Sequence, residues 1–210
     1  MGSVTDKKRL SKGAGQRGPA GHERREQIIL AADQHFRQAG YRRTSVADLA
    51  RAIGVSPAYI YKFFDSKRAI GEAICVVTLR EIDDALWAIA KGGGSAERRL
   101  GQVFKVLAEK GRNLFFNERQ LHDIVVVALE ERWSAIDEHL EALTQIIRHI
   151  VLDGRKAGEF ERKTSIDEVC LAILKTMATF ANPMLLRFEL DRLEANAGAV
   201  ARLVLRSLAP

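Results

Sequence analysis

Between Thr44 and Ile70 the chain reads TSVADLARAIGVSPAYIYKFFDSKRAI. Among the polar groups in this stretch are hydroxyls at Thr44, Ser45, Ser56, Tyr59 and Tyr61, and ammonium groups at Lys62 and Lys67, with Arg43 immediately before it. No nucleophile is paired with a base, so the chemistry on offer is recognition. Lysines, arginines and helix-starting amides hold phosphates, whereas side chains on an exposed helix read base edges. Local sequence rules set these groups on two short helices. Thr44 or Ser45 caps the first, with Asp48 in its opening turn. Ile53-Gly54-Val55 makes the turn, where Gly54 can take positive φ without steric cost. Ser56 caps the second helix, and Pro57 takes its first position, where a missing N–H costs nothing.

Charge supports that reading. Residues 1–70 carry a net +8 and residues 71–210 a net −2, within a total of +6. Positive charge concentrated at one end is the footprint of a phosphate-binding segment joined to a near-neutral one. The outermost stretch, residues 1–22, is rich in Gly, Lys and Arg and poor in apolar residues. It is expected to be a disordered basic arm, which either tracks phosphates or only aids solubility.

The remainder has helical periodicity. A first helix is expected over 23–39, ended by Gly40. Asp65 or Ser66 opens a long helix reaching about Lys91, Gly92-Gly93-Gly94 breaks the chain, and the next helix covers about 95–115. The β-branched run from Leu121 to Leu129 reads as a buried helix because its surroundings are helical. Ile136, Leu140, Leu143, Ile147 and Ile150 form one stripe, ending near Gly154. Ile166, Val169, Cys170, Ile173, Leu174, Met177 and Phe180 form a second, opened by a capping box at Ser165 and Glu168. Past Pro183, a third runs through Leu190, Leu193, Ala197, Val200, Val204 and Leu208. The last two stripes either complete one chain's core or pair with a twin copy. For the second case Ile173, Met177, Leu193, Ala197, Val200 and Val204 are the candidate dimer contacts. The fold expected is all-α with about nine helices: a helix-turn-helix domain over 23–71 and a helical domain over 72–210.

Several classes find no support. No P-loop, GxGxxG, HExxH or nucleophile–base motif is present, so no enzyme and no cofactor are expected. His22, His35, His122, His139 and His149 have no ligand-pair spacing, so no metal is expected. No apolar run approaches the roughly 18 residues of a membrane span, and no apolar signal core opens the chain, which gives a cytoplasmic expectation. Cys75 and Cys170 sit in apolar patterns, as reduced core residues do.

The stretch resembles the TetR family of one-component bacterial regulators. The matching residues are Phe36, Gly40, Tyr41, Thr44, Ser45, Val46, Ile53, Gly54, Val55, Ser56, Tyr61, Phe64, Ser66, Lys67 and Ile70. They cover about residues 23–71, and Pro57-Ala58 departs from the family's common polar-Gly pair. The resemblance implies a regulator, most often a repressor, that binds a palindromic double-stranded DNA operator as a homodimer and answers to a small ligand. Its DNA-binding residues would be Arg43, Thr44, Ser45, Ser56, Pro57, Ala58, Tyr59, Tyr61, Lys62 and Lys67. The implied ligand site lies within the later helices. There the aromatic and apolar candidates are Trp87, Phe104, Phe115, Phe116, Trp133, Phe180 and Met184, with His122 beside them. Such a lining suits a hydrophobic or aromatic effector. A nonspecific DNA-binding helical dimer is the alternative.

Overall fold

The computed structural model describes residues 19–210 except residue 189, with side chains described from residue 21 onward. Among the described residues it contains ten α-helices and no strand. They are α1 (Pro19–Ala39), α2 (Val46–Ile53), α3 (Pro57–Tyr61), α4 (Lys67–Ala90), α5 (Ala96–Asn117), α6 (Arg119–Glu130), α7 (Ser134–Ala157), α8 (Ile166–Ala181), α9 (Pro183–Leu186) and α10 (Leu193–Ser207). A 3-10 turn at Leu190–Arg192 precedes α10. The tenth helix is the short α9, which Pro183 and the Asn182 cap start just after α8 ends. Of the expected arm, residues 1–18 lie outside the described residues, and residues 19–22 belong to α1.

Serines open α2, α4, α5 and α8. Ser45, Ser66, Ser95 and Ser165 each accept a backbone N–H from the residue three positions on. Each satisfies one of the amides a helix start leaves unpaired. At α2 the cap is reciprocal, since Asp48 also accepts the Ser45 N–H. Helix α7 runs past Gly154 and ends at Gly158, which takes φ +77°. Gly154 serves a different purpose. A Cβ there would lie 2.3 Å from the Phe160 ring and 2.9 Å from Ala96, so its lack of a side chain lets the 158–160 turn fold back onto the helix.

Two apolar cores result. The larger is formed by the second half of α4 with α5, α7, α8, α9 and α10. The other joins α1, α2 and α3 to the first half of α4, all of α6 and the start of α7. The helix-turn-helix therefore does not close its core by itself; Leu121, Ile124, Val127, Ala128 and Trp133 complete it. The inward stripe of α7 also differs from the expected one. It passes through His139, which is 7% exposed, while Leu140 faces outward. Both positions fall within a helical turn of Ile136 and Leu143, and the polar residue is the one turned in.

Cys75 and Cys170 are free and buried. Burial pushes the Cys75 thiol up to about 12 and raises Cys170 as well. Burial likewise pushes the Tyr41 phenol up to about 12, with the nearby Glu131 carboxylate adding to it. The folded chain thus holds these protons more tightly than the unfolded chain, whose thiols titrate near 9.0 and phenols near 10.0. Stability is unaffected below those values and falls as pH rises through them toward 12. The thermal midpoint should be level near neutrality and decline from about pH 9, more shallowly in Cys75→Ala. A midpoint unchanged up to pH 11 would contradict this burial.

Candidate DNA-binding surface and effector cavity

Helix α3 is amphipathic within five residues. Ile60 is fully buried and Phe64, just beyond the helix, is 2% exposed, so this side faces α1 and α2. Ser56, Pro57, Ala58, Tyr61 and Lys62 are all exposed on the other side. Tyr61 leaves half of its surface in solvent. Tyr59 is half-buried, with its ring 5.4 Å from that of Phe63 and the Lys62 ammonium 6.0 Å away. Gly54 takes φ +76° and Val55 N–H returns to the Ala50 carbonyl at 2.9 Å, which sets the angle between α2 and α3.

At the start of α2 Thr44 and Ser45, expected to hold a phosphate at the helix end, are engaged internally. Thr44 is 3% exposed, and its hydroxyl donates to the Gly40 carbonyl at 2.8 Å. The Ser45 hydroxyl and N–H both donate to Asp48. These bonds also hold the Asp48 carboxyl below the ordinary carboxylate value, so an anion already occupies this helix end. The Lys67 ammonium lies 4.4 Å from the Tyr41 ring and donates to the Arg42 carbonyl at 3.4 Å. Partial burial pushes its pKa down, and Glu131 opposes that shift. Arg43 is exposed, whereas Arg42 pairs with Glu130 of α6 at 2.6 Å.

That last pair is part of a joint between the helix-turn-helix and α6. Arg37 of α1 bonds Glu118 at 2.7 Å. Trp133 is fully buried, and its ring lies edge-on to Tyr41 at 5.7 Å. Gly71 of α4 lies against both rings: a Cβ there would fall 2.6 Å from Tyr41 and 2.9 Å from Trp133. Trp133, expected as an effector contact, is therefore a core side chain of this joint. Arg132 before it takes φ +52°, an uncommon value for a residue with a side chain.

The remaining effector candidates scatter. Trp87 stands near the far end of α4, 5.8 Å from His149. Phe104 borders a cavity of about 290 Å³ between α5 and α10. Phe115 packs on Phe116 and His122, while Phe116 itself is exposed, as is Met184. His122 is buried with its Nε2 3.4 Å from the Pro183 carbonyl. Of the candidates, Phe180 alone reaches the cavity where α4, α5, α6, α7, α8 and α9 meet, which is lined otherwise by residues such as Leu79, Ile82, Leu107, Leu114, Val125 and Leu186. Sequence reasoning missed this lining because it ranked aromatics first, and aliphatic residues at helical spacing read as ordinary core. It also missed His139 on the same wall. The signal for His139 was present, as a polar residue inside the α7 stripe.

The candidate dimer residues also turn inward. Ile173, Met177, Leu193, Ala197 and Val204 are buried in the chain's own larger core, and Val200 packs against it. The stripes that looked available to a second copy are those closing one protomer. The outward faces of α8 and α10 instead carry Leu171 and Leu203, 56% and 68% exposed, with Ala199 and Ala195 one and two turns before Leu203.

Two family models match the chain. The one described as bacterial regulatory proteins, tetR family, matches residues 28–74, and the tetracyclin repressor-like C-terminal domain matches residues 96–201. The chain belongs to the TetR family. It is 29% identical over 150 residues to the HTH-type transcriptional regulator TtgR of Pseudomonas putida, covering 66% of this chain and 71% of that protein. FadR of Bacillus subtilis, solved with stearoyl-CoA, superposes with a TM-score of 0.64 at 21% identity, over 87% of this chain and 98% of that one. A TetR-family regulator of Pectobacterium atrosepticum superposes with a TM-score of 0.74 at 17% identity, over 92% and 98%. This TetR-family chain is a transcriptional regulator of all-α fold, and no helix among its described residues is long and apolar enough to cross a membrane.

The joint makes a measurable demand on Gly71. Gly71→Ala should destabilise the protein by about 1–3 kcal/mol, as overpacking in a core does, and should shift the fluorescence of buried Trp133. Retention of full stability in a melt would show that the joint is looser than these contacts.

Proposed function

We propose that this regulator is a repressor that binds a palindromic operator as a homodimer and leaves it when a small apolar molecule enters the helical bundle. The observation that carries the reading is the exposed face of α3, held outward by Ile60 and Phe64. A helix presented in this way fits a major groove. Ser56, Pro57, Ala58 and Lys62 are the base-side candidates, with apolar contact to a thymine methyl open to Pro57 and Ala58. Tyr61, Lys67 and Arg43 are the phosphate-side candidates, and Tyr59 supports the helix from its half-buried position. Thr44 and Ser45 act by shaping the start of α2, since their hydroxyls are already bonded.

A second copy is placed against the outward faces of α8 and α10. Leu171 and Leu203 are large exposed apolar side chains there, and Ala195 and Ala199 permit close approach of helices. The effector is assigned to the six-helix junction. Its cavity of about 30 Å³ has room for a water or two, far below the several hundred Å³ typical of ligand pockets. An effector therefore has to favour a more open arrangement, and its differential affinity for that state is what would release DNA.

The test is binding to the DNA upstream of the protein's own gene, with excess unrelated DNA as competitor, across a salt series. Wild-type binding should survive the competitor. Arg43→Ala should weaken it on all sequences alike and reduce the slope of log K against log salt by about 0.9, as loss of one phosphate contact does. Leu171→Glu/Leu203→Glu should run as a folded monomer and lose tight binding. Binding abolished by competitor would favour the nonspecific reading, and a dimeric double variant would remove α8 and α10 from the interface.

A further inference from the structure

The α4–α7 seam contains a buried polar pair with no structural need to be polar. His139 Nδ1 and Asp83 Oδ1 are 2.7 Å apart, and their side chains are 8% and 14% exposed. Apolar residues of similar volume hold such a seam at least as well, because two polar groups are spared removal from water. The pair also stands at a particular place. His139 lines the small six-helix cavity, and it is the one side chain in that wall with a polar atom. On its other side is a cavity of about 190 Å³, which Asp83 also lines, with exposed Arg80 and Glu138 at its edge. His139 and Leu79 border both spaces. The larger of the two by itself exceeds the roughly 150 Å³ that admits a benzene-sized guest.

The hydrogen bond determines what the imidazole offers. A carboxylate only accepts, so the shared proton is carried by His139 Nδ1, and in the neutral ring Nε2 is left with a lone pair. No hydrogen bond from a described residue to His139 Nε2 is made. One acceptor in an otherwise aliphatic and aromatic wall fixes the orientation of a ligand that brings one donor.

We propose that His139, oriented by Asp83, is the polar anchor of the effector site, and that the effector is an aromatic molecule with a hydrogen-bond-donating hydroxyl, a phenol. The inference rests on the reading of this chain as effector-responsive. The hydroxyl donates to Nε2, while the ring enters between α4 and α7 and widens the small cavity. Helix α4 then cannot keep its packing on α7, and its other end is built into the helix-turn-helix core some 12 residues away, about 18 Å along the axis.

The experiment compares 1-naphthol with its methyl ether, which keeps the rings and lacks the donor. Each is titrated calorimetrically into the full chain, and DNA affinity is measured in parallel on a fragment the protein binds. Wild type should bind 1-naphthol saturably and about tenfold more tightly than the ether. His139→Leu should bind both alike, and His139→Gln, whose amide oxygen can accept, should keep part of the preference. Cooperative melts establish that each variant is folded, and the wild-type comparison decides by itself should His139→Leu fail to fold. Equal wild-type affinities, a preference that survives in His139→Leu, or no saturable binding of 1-naphthol would overturn the anchor. A His139-dependent preference with unchanged DNA affinity would keep the anchor and contradict release by effector instead.

Discussion

Everything in this molecule turns on a contact that leaves no room for a methyl group. Gly71 of α4 lies against the edges of Tyr41 and Trp133, and the Trp133 side chain has no exposed surface. Three segments distant in sequence meet there: the α1–α2 turn, the start of the long helix and the α6–α7 turn. Because cores are close-packed, a shift of any one displaces the other two. The second core consequently spans the helix-turn-helix and α6 together. The exposed ion pairs Arg37–Glu118 and Arg42–Glu130 lie along the same joint. Such pairs contribute little to stability, and their use is to fix the angle at which α6 meets α1.

Helix α4 connects this joint to the other core. Near its far end the buried Arg99 guanidinium donates to the Ala90 carbonyl at 2.5 Å and to Asp153 of α7 at 3.2 Å. The helix is therefore gripped at both ends. Its middle is the part bordered by cavities and by the Asp83–His139 pair. A ligand that separates α4 from α7 acts on the cavity-bordered middle of a helix whose ends are fixed in two cores. This is a physical route from a change inside the bundle to a change in how α3 is presented.

The helix-turn-helix was legible in the sequence because its signals are local. Gly54, Ser56-Pro57 and a cap at Thr44 or Ser45 act within four residues of themselves; the structure has the first two as read, settles the cap on Ser45 and adds the reciprocal bond from Asp48. The candidate sites were less legible because they depend on which neighbour covers a stripe. Met177 and Leu193 belong to clean stripes, but periodicity alone cannot say whether the covering helix comes from the same chain. Trp133 reads as a pocket aromatic until Gly71 and Tyr41 are seen to enclose it. The polar residues that matter in the bundle, Asp83 and His139, lie 56 positions apart, and only the packing of α4 on α7 joins them. Thr44 shows the converse: its place at a helix start suggested a phosphate contact, and the chain itself takes both its hydroxyl, on the Gly40 carbonyl, and its N–H, on the Tyr41 carbonyl.

The most direct test of the shared core is native-state hydrogen exchange. If α2 and α6 belong to one cooperative unit, amides of Leu49 and Ala50 should open with the same free energy as those of Ile124 and Val125, and with the same denaturant dependence. Exchange of the α2 amides through a lower-energy opening that leaves α6 protected would contradict the account, because the DNA-binding helices would then unfold without the joint.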